Sequence, residues 1–157
     1  MIRKKEEKIQ LTDQQIEQVW NFAKTIDGKD PQTIRQDILG AIIHKEDYNN
    51  GNTDFGWCAE YVLSPTLLES YNIPSEHAFC EENIRVLHVR NYYANTDEPI
   101  GHYKALYRPQ FDSDSYNRWQ KAWQISDIIP EGIEMLQQKF NLSDELVREI
   151  FAQYLNE

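Results

Sequence analysis

The chain has 157 residues, of which 26 are acidic and 16 basic, giving a formal charge of −10 at pH 7. With 40% hydrophobic, 12% aromatic and 27% charged residues it reads as globular, long enough for one core without staples. The charge disfavours nucleic acid and anionic membrane surfaces, because both are held largely by cationic groups, and argues against a general DNA coat.

No apolar run approaches the roughly 20 residues needed to span a bilayer. The opening Arg3-Lys4-Lys5-Glu6-Glu7-Lys8 is a charged arm and not the apolar core of a leader. Cys58 and Cys80 are the two cysteines and form no CxxC pair, so a disulfide framework is not expected. The expectation is a cytoplasmic protein with reduced thiols and no membrane attachment.

The first helix is marked by Ile16, Val19, Trp20, Ala23 and Ile26 at helical spacing, with Thr12 or Asp13 as cap and Gly28 as stop. Residues 1–27 are thus an arm and a helix. Gly28-Lys29-Asp30-Pro31 and Asn49-Asn50-Gly51-Asn52 are turn chemistry. Between them Ala41-Ile42-Ile43 is a short strand, and Phe55 to Leu63 is a second one, rich in aromatic and β-prone residues. Ile84 to Leu87 reads as a further strand, and His88 to Asn95 as a helix following it.

The last third is helical in period. Asp112 or Ser113 caps a segment through Tyr116, Trp119, Ala122 and Trp123, and Pro130 starts a helix carrying Ile133, Leu136 and Phe140. Ser143 caps a final helix whose face is Leu146, Val147, Ile150, Phe151 and Tyr154, with Leu142 and Val147 placed as a hydrophobic staple. A recognition helix bearing Asp144, Glu145 and Glu149 with only Arg148 reads DNA poorly. Packing within the domain, or a homodimer through these C-terminal helices, is the expected use of the apolar face.

The informative stretch is residues 28–97. Gly28, Asp30 and Pro31 open it; Arg35, Asp37, Gly40, Ala41 and Ile43 follow; then come Asp47, Tyr48, Asn52, Thr53, Phe55, Gly56 and Trp57. In this order they resemble the small HNH endonuclease-like family with a G-x-D-P start, over under half of the chain. The resemblance implies an α+β fold with a small ββα-metal-like unit near the centre, preceded by one helix and followed by helices across 98–157, packed as one domain. In that family the Gly-Trp is followed by E-I-D-H-I, whose Asp binds a divalent metal and whose His activates water. An N-L-x-x-L-H-x-x-N segment then orients the base and completes the metal site. The logic is metal-assisted hydrolysis, in which a hard cation stabilises the leaving oxygen and a neutral imidazole takes a proton.

This sequence departs where the chemistry is. Glu60 stands in place of the metal-binding Asp, and Tyr61 in place of the catalytic His. A phenol with an ordinary pKa near 10 is a poor general base at neutral pH. Asn83, Leu87, His88 and Asn91 keep the second half. The candidate catalytic positions are therefore Tyr61, Asn83 and His88, and the candidate metal positions Glu60 and Asn91. No cofactor is expected beyond a weakly held Mg²⁺ or similar cation.

Other residues bear on a rescue. His44, His77 and His102 could relocate the base; Tyr61 could act as a nucleophile; Cys58, His77, Cys80 and His88 are a zinc-type ligand set without paired clips. Tyr92 and Tyr93 with Arg85 and Arg90 form a local basic, aromatic feature that more commonly packs a small domain than stacks bases. Two functions follow from different classes. One is a degenerate HNH-like binding module without nuclease activity, with a protein partner. The other is an active divalent-metal nuclease with a relocated base. A third, an acidic DNA mimic, rests on charge alone. The lead-in also carries an expectation about support: Trp57 should be buried against Tyr48 or Ile43, and Gly56 should allow a backbone approach that no side chain permits.

Overall fold

The computed structural model describes residues 8–98, 100, 103, 107–109, 119–121 and 130–151. Helix α1 (Asp13–Trp20) starts at Thr12, whose hydroxyl accepts from the Gln15 N–H while the Gln15 side chain accepts from the Thr12 N–H. This reciprocal pairing satisfies two of the orphan donors at the helix start. The helix ends at Trp20 and does not run to Ile26 as its apolar spacing predicts. Tertiary bonding overrides periodicity there. Arg35 donates to the carbonyls of Asn21 and Ala23, and the Lys24 backbone exchanges two hydrogen bonds with Gln36. Ala23 thus sits in a bend, Lys24 bridges to the first hairpin, and Ile26 lies outside any helix.

That hairpin pairs β1 (Ile34–Gln36) with β2 (Ile42–His44), antiparallel, with Arg35 opposite Ile43. The connection between them turns at Gly40, whose φ of +91° is open to glycine and strained for other residues. The central ribbon pairs β3 (Trp57–Tyr61) with β4 (Ile84–His88) in the register Trp57–His88, Cys58–Leu87, Ala59–Val86, Glu60–Arg85 and Tyr61–Ile84. Helix α3 (Val89–Ala94) follows β4 at once. The two halves of the sequence motif therefore lie on neighbouring strands with a helix behind them, as expected.

Between the two strands the chain forms α2 (Pro65–Ser70), with Ser64 as cap and Pro65 in the first turn. The Ser-Pro pair is a helix-start signal that periodicity alone passes over. Strands β5 (Tyr107–Pro109) and β6 (Trp119–Lys121) form a third antiparallel pair. The helical expectation through Trp119 is thus corrected at 119–121, where the backbone pairs across a ladder; Ala122 and Trp123 lie outside the described residues. Helices α4 (Pro130–Phe140) and α5 (Asp144–Ile150) close the chain where Pro130 and Ser143 place them.

The chain is an α+β fold with its core in three clusters. The first joins Val62, Leu63, Leu67, Leu68 and Ala78 to Ile133, Leu136, Phe140, Leu142, Val147, Ile150 and Phe151. Ile150 and Phe151 of the C-terminal apolar face thus pack inside the chain, and Leu142 and Val147 of the staple are both buried there, while Tyr154 lies outside the described residues. The second cluster holds Val19 and Trp20 of α1 against Ile43, Trp57, Ala59, Ile84 and Val86. The third, Leu39, Cys58, Leu87, Tyr92 and Tyr103, sits on the opposite face of the ribbon under α3.

Trp57 is fully buried, its ring centroid 5.0 Å from Tyr48 and 5.4 Å from Trp20, and its indole N–H donates to the Lys45 carbonyl at 3.1 Å. Gly56 is equally constrained: a Cβ there would lie 1.9 Å from the Asn50 carbonyl oxygen. Both expectations about the turn hold. No helix among the described residues is long and apolar enough to cross a membrane.

Candidate functional site

The ribbon alternates in the manner of any two-faced strand pair. Trp57, Ala59 and Tyr61 share one face with Ile84 and Val86, and Cys58 and Glu60 share the other with Leu87 and Arg85. Helix α3 folds back onto the second face through Tyr92, and the charge of Glu60 reaches the Tyr92 hydroxyl. Glu60 is buried at 2% exposure. The two candidate residues that are adjacent in sequence, Glu60 and Tyr61, therefore point to opposite sides.

Tyr61 is half-buried and packs between the first two clusters. Burial pushes its hydroxyl above the ordinary phenol value, and the neighbouring Cys80 adds to this. That direction takes it further from a neutral-pH base. Tyr61 also lies at the far end of the ribbon from His88, four residues along, or about 13 Å at the usual strand rise.

His88 caps α3. Its Nδ1 accepts from the Arg90 N–H at 3.0 Å, which leaves the proton on Nε2 to donate to the Asp54 carbonyl at 2.7 Å. The ring is 1% exposed, and burial lowers its pKa to about 4, aided by the nearby Arg90 charge. It is a neutral, doubly bonded ring. The sign of its pH effect follows. The folded value lies below the unfolded value near 6.5, so the unfolded chain binds the extra proton first. The stabilisation is complete above pH 6.5 and is lost as pH falls from 6.5 to about 4. We expect the unfolding free energy of the wild type, from urea titration, to drop over that window by up to about 3 kcal/mol relative to His88→Asn. Asn keeps a capping oxygen without the titration. Parallel pH profiles for the two proteins would sink this assignment.

Asn83 is fully buried at the other end. Its amide donates to the Leu63 and Ala78 carbonyls at 2.9 and 3.0 Å, and its oxygen accepts from the Leu63 N–H at 2.8 Å. This bracket joins the end of β3 to the segment before β4. None of these bonds goes to Tyr61.

The residue that organises the α3 end is one the candidate set omits, Asp37. It is fully buried, and its Oδ1 accepts from the N–H groups of Leu39 and Ala41 at 2.9 and 2.8 Å. Its Oδ2 accepts from the His88 N–H at 2.9 Å and from the Asn91 amide at 3.1 Å. Burial raises its pKa against the pull of those four donors. The sequence signal was present: an Asp three residues before Gly40 in a tight turn is the pattern of a carboxylate that bonds its own loop. Asn95 then ties α3 to itself, donating to the Asn91 carbonyl at 2.7 Å.

The structure therefore joins His88 and Asn91 through Asp37 at the α3 end of the ribbon, and leaves Glu60, Tyr61 and Asn83 at the other end, with Glu60 on the face opposite Tyr61. Both ring nitrogens of His88 and the amide nitrogen of Asn91 are bonded to protein. Among the described residues no three His, Cys, Asp or Glu side chains gather closely enough to hold a metal. The zinc-type set is likewise dispersed: Cys58 lies in the third cluster with burial pushing its thiol up to about 12, and Cys80 lies beside Glu82. Of the other histidines, His44 stacks on Phe55 with centroids 4.0 Å apart, and its Nδ1 lies 3.9 Å from Asp47. His77 is exposed in a short helical turn, and His102 lies outside the described residues.

The class that fold and site define is thus an α+β chain with a two-strand-plus-helix unit whose polar groups bind one another. No family model, curated protein or solved structure matches the chain.

Proposed function

We propose that the chain is a degenerate HNH-like protein that does not cut nucleic acid and serves as a binding module for a protein partner. The observation that carries this reading is Tyr61. The residue in the place of the general base is a half-buried phenol whose pKa is displaced upwards. General-base catalysis contributes about 10²–10⁴-fold, and an un-ionised phenol does not supply it near pH 7. The polar residues of the second half-motif support the same reading, because His88, Asn91 and Asn83 are engaged in joining loops to the ribbon. The net charge of −10 favours a basic protein surface over a phosphate backbone as the ligand.

The test is plasmid cleavage with Mg²⁺, Mn²⁺ or Ni²⁺ by the full chain. The expected result is no nicking above the metal-only control, with Tyr61→His folding normally and giving at most a trace of cutting. Strong metal-dependent cleavage by the unmodified protein, abolished by Glu60→Ala or Asn91→Ala, would overturn the reading in favour of an active nuclease.

A further inference from the structure

We propose that the groove between α1 and the β1–β2 hairpin binds a basic side chain, arginine in particular, presented by a protein partner. This names a docking point for the partner-binding reading and rests on that reading, but it involves none of the ribbon residues.

The groove has a volume of about 570 Å³ and is lined by Ile16 and Glu17 of α1, Gln32 to Ile34, and His44 to Glu46. That volume lies within the range of specific small-ligand clefts. Its walls are fixed by local bonding. The Lys45 N–H donates to the Thr33 carbonyl at 3.0 Å, and the Lys45 carbonyl accepts the Trp57 indole N–H at 3.1 Å. One rim residue is therefore tied by its backbone to the buried tryptophan. His44 is held flat against Phe55.

The chemistry of the lining selects the ligand. Ile16 and Ile34 offer apolar surface for a methylene stem, which long basic side chains cover readily. Of the two carboxylates, Glu17 is paired with Lys45 at 2.5 Å, whereas Glu46 makes no ion pair or hydrogen bond with any described residue. Among the lining carboxylates and ammonium groups, Glu17, Lys45 and Glu46, one negative charge is left uncompensated. Gln32 and Thr33 add neutral hydrogen-bonding groups. A planar guanidinium can donate to a carboxylate and an amide at once and stack on an aromatic ring such as His44. An anionic ligand would meet Glu46 and an acidic protein, and a purely apolar one would leave Glu46 facing it.

The experiment uses the uniformly ¹⁵N-labelled full chain titrated with N-acetyl-arginine amide, N-acetyl-lysine amide and N-acetyl-norleucine amide. Expected are saturable shifts of the Ile34, Lys45 and Glu46 amides with arginine, weaker ones with lysine and none with norleucine. Glu46→Gln should weaken the arginine response about threefold, the size of one exposed ion pair, and Lys45→Met, which releases Glu17, should strengthen it by a similar factor. Glu69→Gln, a change at an exposed acidic residue of α2, should leave it unchanged. Equal shifts with norleucine, or a loss in Glu69→Gln matching that in Glu46→Gln, would overturn the proposal, as would no saturable shift at all. None of these outcomes bears on the cleavage assay, so the failure of one reading is distinguishable from the failure of the other.

Discussion

Asp37→Ala should destabilise the protein by about 3–5 kcal/mol, because it removes the shared acceptor of a buried hydrogen-bond network. Four donors converge on this carboxylate from three places: its own loop at Leu39 and Ala41, the end of β4 at His88, and α3 at Asn91. The substitution leaves three main-chain N–H groups and one amide buried without an acceptor, and each costs about 1–3 kcal/mol unless the loop opens to water. Asp37→Asn should cost less. It keeps one oxygen for the loop, but its new NH₂ faces the donors of His88 and Asn91. Asp30→Ala is the comparison: Asp30 is exposed and its carboxylate bonds only the Gln32 N–H among the described residues. That change should cost under about 1 kcal/mol. Urea unfolding followed by circular dichroism reads all three. A loss under 1 kcal/mol for Asp37→Ala would show that the four bonds do not hold the loop.

Trp57→Ala should cost a similar amount, about 3–5 kcal/mol, for a different reason. The ring is fully buried between Trp20 and Tyr48, and it lies on β3 directly opposite His88. Truncation therefore opens a void where α1, the 45–48 segment and the ribbon meet, and it orphans the Lys45 carbonyl. Trp57→Phe keeps much of the apolar volume and loses the indole bond, so about 1–2 kcal/mol is expected. A thermal midpoint unchanged in Trp57→Ala would mean that this junction does not support the core. The two substitutions test opposite faces of the same construction, one polar and one apolar. Together they describe a two-strand-plus-helix unit in which Asp37 and Trp57 act as supports.

Local chemistry was legible in the sequence where it acts within one or two turns. Thr12 and Ser143 specify helix starts because their hydroxyls reach N–H groups three residues on. The alternation of Trp57, Ala59 and Tyr61 with Cys58 and Glu60 specifies a strand, and the Asn83–Asn91 segment specifies a strand running into a helix. Gly56 announced a close approach that its missing side chain permits. What the sequence left open depends on partners distant along the chain. The end of α1 is decided by Arg35 and Gln36, more than a dozen residues later, which bond the backbone that the apolar spacing of Ala23 and Ile26 would have kept helical. The strand at Trp119–Lys121 exists because residues 107–109 pair with it. Asp37, 51 residues before His88, becomes the organiser of the α3 end only once the first hairpin is laid against the ribbon. The same holds for the candidate site. Sequence determined which residue types stand at the motif positions, including the phenol at 61. Only the tertiary structure decided that Glu60 and Tyr61 face opposite sides and that His88 and Asn91 spend their nitrogens on the protein, because hydrogen-bond demand in a buried site is met by whichever groups the fold brings near.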